Sequence, residues 1–583
     1  MRNNLGTRHS LPNTRKLTII AQDPSVEIRG KILTSEVEIP AEQLAPGPCG
    51  YRVNVIDYDT STNTLYQQAK YPSLSNGASA DPFRLDQSKK RPKNYDRRLL
   101  QDPRFHAQNV YAIIMRTLAR FEFALGRRVA WGSAGHQLHI APHAFADANA
   151  FYSKEDRGIF FGYFMGRDGS PIFTCLSHDV VAHETTHALL DGLRGRYMES
   201  SSPDQAAFHE GIADIVALLS MFSLPEVVDA LLDLGAGRNQ KLIGEKYLER
   251  KYLKEKNGLL GLAEQMGPEL TVIRGNALRR SVELPPGKPY MSMPGFQEAH
   301  RRGELIVAAT MNAFLDIWLA RLEKVGTLQR GKKDRSLVRD QGVRVADHLL
   351  TMVIRALDYC PPVDLRFSDY LSALLTVDRE VVPDDTKYNY RDALLKNFKA
   401  FDIVPANNAD TDGTWKRCDR QLIYSRTHFD SILRSIEEVF RFIWENRGKN
   451  GLDINKDGYI EVESVWPSIR IGPDGFVLHE TVAEYVQILT LRADELPATL
   501  RITPPDSIQG WQRIRIFGGG TLVFDEYGQL KYQICNRIED TERQQSRLNY
   551  LAEIGFFETQ PEPSQLTGNL PPFAQLHLAR AMG

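Results

Sequence analysis

The sequence predicts an α+β fold: a β-rich N-terminal part, a mainly helical middle and a β-rich C-terminal part. Three observations predict it. Residues 17–72 alternate apolar and polar positions, as in VEIRGKILTSEVEIP and YRVNVIDYD. From about residue 176 the apolar period becomes helical. Between 450 and 540 the alternation returns, with turn signals at Pro473-Asp474-Gly475 and Glu526-Tyr527-Gly528.

The elements follow in order. Residues 73–101, containing QSKKRPKNYDRR, read as a polar, basic linker. Asp102-Pro103 then opens a helix, with Asp102 as N-cap and Pro103 in the first turn. Val110, Ile114, Leu118, Phe121 and Leu125 line one face, and Gly126 supplies the stop. Residues 137–175 read as strands. Helices are expected over about 177–194, 206–223, 301–323, 342–357 and 368–376, the fourth stopping before Pro361-Pro362. Another over about 429–445 precedes the last strands. The expected regions are 1–100, β-rich with a linker; 101–190, ending in the helix that carries the chemistry; 191–405, helical; and 406–583, a helix plus a β-rich domain.

The chain has 583 residues, 42% hydrophobic and 25% charged, which is ordinary globular usage for about three or four domains. Lys+Arg is 72 and Asp+Glu 73, so bulk charge argues against a nucleic-acid partner or an anionic membrane. The five cysteines, Cys49, Cys175, Cys360, Cys418 and Cys535, are odd in number and form no C-x-x-C. Neither a disulfide framework nor a cysteine zinc site is expected. The N-terminal apolar run, Leu17 to Ala21, is broken by Thr18 and is too short for a signal-peptide core. No stretch reads as a bilayer span; Ile215–Leu224 ends at Pro225. The expected location is cytoplasmic, and the oligomeric state is left open.

The chemistry lies in Asp179-Val180-Val181-Ala182-His183-Glu184-Thr185-Thr186-His187, which contains H-E-x-x-H. On a helix, positions i and i+4 share a face, so His183 and His187 can offer imidazoles to one ion. Zinc held by neutral imidazoles lowers the pKa of its water to about 7, and Glu184 can take the proton. Val180, Val181, Leu189 and Leu190 can bury this helix. A catalytic zinc site needs a third protein ligand. Phe208-His209-Glu210-Gly211-Ile212-Ala213-Asp214 offers Glu210 on a second apolar helix, with Asp214 one turn later on the same face. Asp214 can accept the second ring N–H of a ligand histidine. His209 competes as third ligand but points about 100° away from Glu210. His178 precedes His183 by a spacing that shares no helix face, and it reads as structural or capping.

These segments, D-V-V-A-H-E-T-T-H and H-E-G-I-A-D, resemble the thermolysin-like zinc metallopeptidases, a gluzincin family. The resemblance covers roughly residues 100–400 and is closest to a large bacterial branch with an added C-terminal part. It implies a two-lobed catalytic core, β-rich then helical, with an extra β-rich C-terminal domain. It also implies peptide and protein substrates, and zinc on His183, His187 and Glu210. Asn149-Ala150-Phe151-Tyr152 resembles the family's N-A-F-W edge strand, which lies along the substrate, so Asn149 and Ala150 are implied substrate contacts. Tyr197 resembles the tyrosine that stabilises the tetrahedral intermediate. Arg279, in Ala277-Leu278-Arg279, resembles the arginine that holds a substrate carbonyl. His300 resembles the histidine that donates to the oxyanion. The chain departs from the pattern at three places. His209 stands where the family has asparagine, Tyr197 is one position closer to the zinc helix, and Gly295 stands where His300's acidic partner is expected, with Glu298 nearby.

Asp453, Asn455, Asp457 and Gly458 match the start of an EF-hand calcium loop, but Ser464 occupies the position of the bidentate glutamate. The following VESVWPSIRIG reads as strand rather than helix, which favours an Asx-rich turn over a weak calcium site. Two other functions compete with an endopeptidase. One is a gluzincin fold that has lost its chemistry and binds peptides or partners. The other is an aminopeptidase-type gluzincin, for which the expected G-x-M-E-N-type motif is missing.

Overall fold

A computed structural model describes residues 13–557 except 29, 72–80, 86–89, 133–134, 168, 200, 237–240, 255–282, 329–330, 387, 449–450, 472–474 and 476. The fold is α+β. Strands β1 (Thr14–Ile20) and β2 (Thr34–Pro40) form an antiparallel hairpin that buries Leu17, Ile19, Val37 and Ile39. The hairpin packs on helix α1 (Pro103–Leu125). Asp102 caps α1 by accepting from Arg104 N, and Gly126 closes it at φ 68°. The expected apolar stripe is buried, and so are His106, one turn before Val110, and Gln108 and Asn109 on other faces. Within the expected linker, Tyr95–Gln101 forms a short helix anchored by buried Tyr95 and Leu99. The exposed arginines around those two apolar residues hid it from a reading by charge.

Strands β3 (Val53–Val55), β4 (Leu138–Phe145), β5 (Ala150–Ser153) and β6 (Gly158–Met165) form a sheet in the order β3-β4-β6-β5. The first two pairings are parallel, and β5 runs antiparallel to β6. Strand β7 (Pro171–Phe173) also pairs with β6. Strand β5 therefore ends the row, and it packs against helix α2 (His178–Leu193).

Helices α3 (Pro203–Phe222), α4 (Ala299–Glu323), α5 (Arg335–Ala356) and α6 (Phe367–Val381) build the middle of the molecule. Helix α5 starts at Arg335 rather than 342 because Asp334 caps it, accepting from Leu337 N. Helices α3 and α4 touch backbone to backbone. A Cβ on Gly303 would lie 2.9 Å from the Ala207 carbonyl oxygen, and one on Gly211 would lie 3.0 Å from that of Gly303. Helix α4 has the length and apolarity of a bilayer span, which the sequence reading did not register, but 83% of its most apolar window is buried inside the protein.

The expected helix near 429–445 is broken into Phe429–Ile432 and α7 (Ile436–Glu445). Strands β8 (Tyr459–Ile471), β9 (Val477–Arg492), β10 (Arg513–Phe524) and β11 (Leu530–Asn536) follow as an antiparallel meander. Gly528, at φ 75°, turns β10 into β11 as expected, whereas most of Pro473-Asp474-Gly475 lies outside the described residues. The calcium-like loop before β8 is an Asx turn: Asn455 Oδ1 accepts from the N–H groups of Asp457 and Gly458. Asp453 faces Arg420 at 2.7 Å. The Asn455 side chain thus serves the turn, and that of Asp453 an ion pair.

The meander shares a core with the helices: Val523, Tyr532 and Ile534 belong to the same apolar cluster as α1 to α6. Buried charges cross the same boundary. Arg127 grips Asp358 through both terminal nitrogens at 2.6 and 2.7 Å, and Arg470 of β8 joins Asp358 to Glu480, the latter at 2.5 Å. Burial alone would raise the Asp358 carboxyl, but Arg127, Arg470 and Arg194 pull it down to about 2. A carboxyl lowered in this way stabilises the fold above its ordinary value of 3.8, and the contribution is lost as pH falls toward 2. Replacing Asp358 by Asn strands buried guanidinium groups and is expected to cost about 3–5 kcal/mol at neutral pH. Urea midpoints of wild type and variant at pH 7 and near pH 2 check this; the gap between them should narrow in acid.

Candidate metal centre

Helix α2 is buried along its length by Val180, Val181, Leu189 and Leu190. Its motif histidines face α3. His183 Nε2 and His187 Nε2 stand 2.8 Å apart, and each lies 3.5 Å from an oxygen of Glu210. The three donor atoms fall within 4.8 Å of one another, and all three residues are buried. Glu210 thus lies beside both imidazoles.

Each imidazole is held from behind. His183 Nδ1 lies 2.7 Å from Asp214 Oδ1, the partner expected from the one-turn spacing on α3. That carboxylate can only accept, so Nδ1 of His183 carries the proton and Nε2 turns a lone pair toward the centre. His187 Nδ1 lies 2.7 Å from His209 Nδ1, and the two rings stack 4.7 Å apart. His209 thus meets the outer nitrogen of His187 and lies outside the His183–His187–Glu210 group. The set of two imidazoles and a carboxylate, with both rings held from outside and the His183 tautomer fixed by Asp214, fits zinc.

Glu184 is buried, and its Oε2 accepts from the Tyr152 N–H of β5 at 3.0 Å. This contact comes from the main chain, so no residue type announced it. It shows which edge of β5 faces the centre. The main-chain groups of Ala150, two residues earlier, point the same way. Asn149 sits at the start of the strand, with its Oδ1 accepting from Ala150 N at 2.8 Å. Tyr152 OH and Lys154 Nζ both reach Asp191 near the end of α2, at 2.8 and 2.7 Å, tying strand to helix.

His300 lies in the first turn of α4 and sets Nδ1 3.2 Å from Glu210 Oε2. The close crossing at Gly211 and Gly303 is what lets α4 bring it there. Glu298 does not act as its acidic partner. Its carboxylate caps α4, accepting from His300 N at 3.0 Å and Arg301 N at 2.8 Å. Tyr197 does not join the site. It is buried against Phe208, and its hydroxyl donates to the Pro361 carbonyl at 2.8 Å. The tight turn Gly195–Met198 carries it into the core instead of the cleft. Arg279 lies outside the described residues. His178 is structural, as expected: its Nε2 lies 3.1 Å from Ser220 Oγ, and burial, with Arg116 nearby, pushes its ring down to about 3.

No family model and no curated protein matches the chain. Replacing Asp214 by Ala removes the acceptor behind His183. It is expected to weaken zinc binding about 10–100-fold, read by competition with a chelator, with the circular-dichroism spectrum unchanged.

Proposed function

We propose that the protein is a zinc-dependent endopeptidase of the thermolysin-like kind, with a β-rich lobe, a helical lobe and an added C-terminal sheet. The observation that carries the reading is the meeting of His183, His187 and Glu210 with Glu184 beside them on the same helix turn. Bound by the three ligands, zinc would lower the pKa of a water to about 7 and polarise the scissile carbonyl. Glu184, adjacent in sequence to a ligand and not itself one, takes the proton of the attacking water and delivers it to the leaving amine.

On the outward edge of β5 the Ala150 N–H is held by Asn149 Oδ1 and the Tyr152 N–H by Glu184, which leaves the Ala150 carbonyl as the main-chain group for an extended peptide to pair with. Such pairing holds the scissile bond in register with Glu184, because the same strand also holds the Glu184 carboxylate. The His300 ring, partly exposed and next to Glu210, is in reach of an oxyanion formed at the centre. Tyr197 has no part in this mechanism, since its hydroxyl is committed to Pro361. Arg279 keeps the substrate-binding role that the resemblance implies. The substrates are peptides and proteins; neither nucleic acid nor membrane enters the reading.

A digest of an unbiased peptide mixture tests it. Wild type is expected to cut internal bonds, and Glu184→Gln to lose about 10²–10⁴-fold in rate while keeping the wild-type zinc content. A wild type that holds zinc and cuts nothing identifies a fold that binds peptides without chemistry. Products trimmed one residue at a time from the N-terminus would identify an aminopeptidase.

A further inference from the structure

A second group of nitrogen and sulfur donors lies outside the site described above. His106 on α1, His143 on β4 and Cys175, in the turn Thr174–Leu176 ahead of α2, each place a donor atom within 4.8 Å of the other two. The histidines are 1% exposed and Cys175 is 0% exposed.

Hydrogen bonds fix the two tautomers. His106 Nε2 lies 3.1 Å from the Leu100 carbonyl oxygen, which can only accept, so Nε2 carries the proton. His143 Nδ1 lies 2.9 Å from both oxygens of Asp57, so there Nδ1 carries the proton. In neutral rings, the remaining nitrogens, His106 Nδ1 and His143 Nε2, are both lone-pair atoms. They face each other at 2.7 Å. Two lone pairs at that distance repel unless a proton or a metal cation lies between them. The His183–His187 pair has the same form, with facing nitrogens at 2.8 Å and the outer nitrogens bonded away.

The surroundings favour a metal over a shared proton. Phe173 packs 4.7 Å from the His106 ring and 5.0 Å from His143, and Tyr66 packs 4.8 Å from His143. Asp57, 2.9 Å from His143, balances either cation between the rings, so the third donor is what separates the two readings. A shared proton gives no reason for a cysteine at the third corner.

We infer that His106, His143 and Cys175 form a second metal site, which takes a zinc-class divalent ion through two imidazole nitrogens and a thiolate sulfur. Such a donor set selects zinc over magnesium or calcium. Asp57 and the Leu100 carbonyl are the outer partners that aim the rings. On binding, the Cys175 S–H bond breaks, its proton goes to solvent, and the thiolate pair forms the sulfur–metal bond. The ion staples three elements together: α1, the sheet, and the turn that leads into α2. The sequence reading expected no cysteine metal site because the three ligands are far apart in the chain. The inference does not rest on peptide hydrolysis.

Cobalt(II) added to metal-depleted full-length protein reads the two sites apart, because of the two this one contains sulfur. Wild type is expected to bind about two cobalt ions per chain and to show a near-ultraviolet thiolate-to-cobalt absorption that zinc abolishes. Cys175→Ser should lose that absorption and about one equivalent of cobalt. The double variant His183→Gln, His187→Gln should keep the absorption. A folded wild type without the absorption, or an absorption that survives Cys175→Ser, overturns the proposal. The first of these outcomes requires no variant to fold. Failure of peptide cleavage, which would sink the endopeptidase reading, leaves the absorption untouched.

Discussion

Three buried donors have to reach one point from two helices, and the middle of the molecule is arranged around that requirement. His183 and His187 are one turn apart on α2, so their spacing is local. Glu210 must arrive from α3, and it does so only if the two helices hold a fixed offset. Asp214 fixes part of that offset by returning from α3 to His183 at 2.7 Å, and His209 does the same to His187. A cation among two imidazoles and a buried carboxylate would be held by lone pairs and negative charge at once. The proposed zinc is thus the electrostatic complement of the helix pair as well as the source of its chemistry.

What could be read from the sequence follows from how local each feature is. The long helices and the closing meander announced themselves by period, and Asp102 and Gly126 marked both ends of α1. The candidate ligands were legible because H-E-x-x-H and the Glu210–Asp214 pair are each defined within about one turn. Tyr197 was misplaced because similarity of spacing says nothing about which way a tight turn swings; packing on Phe208 decided that. The Tyr152 N–H on Glu184 could not be read from any side chain. His106, His143 and Cys175 carry no spacing signature, and only the fold brings them together.

The close crossing of α3 and α4 explains another part of the site. Glycine is poor in a helix interior, by about 1 kcal/mol relative to alanine. Gly211 and Gly303 are both interior, on α3 and α4. A methyl group at 303 would press on the Ala207 carbonyl oxygen at 2.9 Å. The cost in helix propensity is offset by close approach, and close approach is what sets His300 against Glu210. The first turn of α4 is meanwhile secured by Glu298, whose carboxylate accepts from the backbone N–H groups of His300 and Arg301, while the His300 ring meets Glu210.

The C-terminal meander lies outside the triad yet acts on it through α2. Arg194, which caps that helix at its C-terminal end, bonds the Leu357 carbonyl and pairs with Glu484 of β9 at 2.6 Å. Arg196, in the next turn, pairs with Glu463 of β8 at 2.6 Å. At the other end, the His178 N–H bonds the Gln22 carbonyl at 2.6 Å, and the turn holding Cys175 enters the helix. Helix α2 is therefore anchored at both ends by elements distant in sequence. A site whose chemistry depends on a few tenths of an ångström gains more from such anchoring than from an added contact to the ligands. The strands after residue 450 thus have a defined physical part: they hold the end of the helix that carries His183, Glu184 and His187.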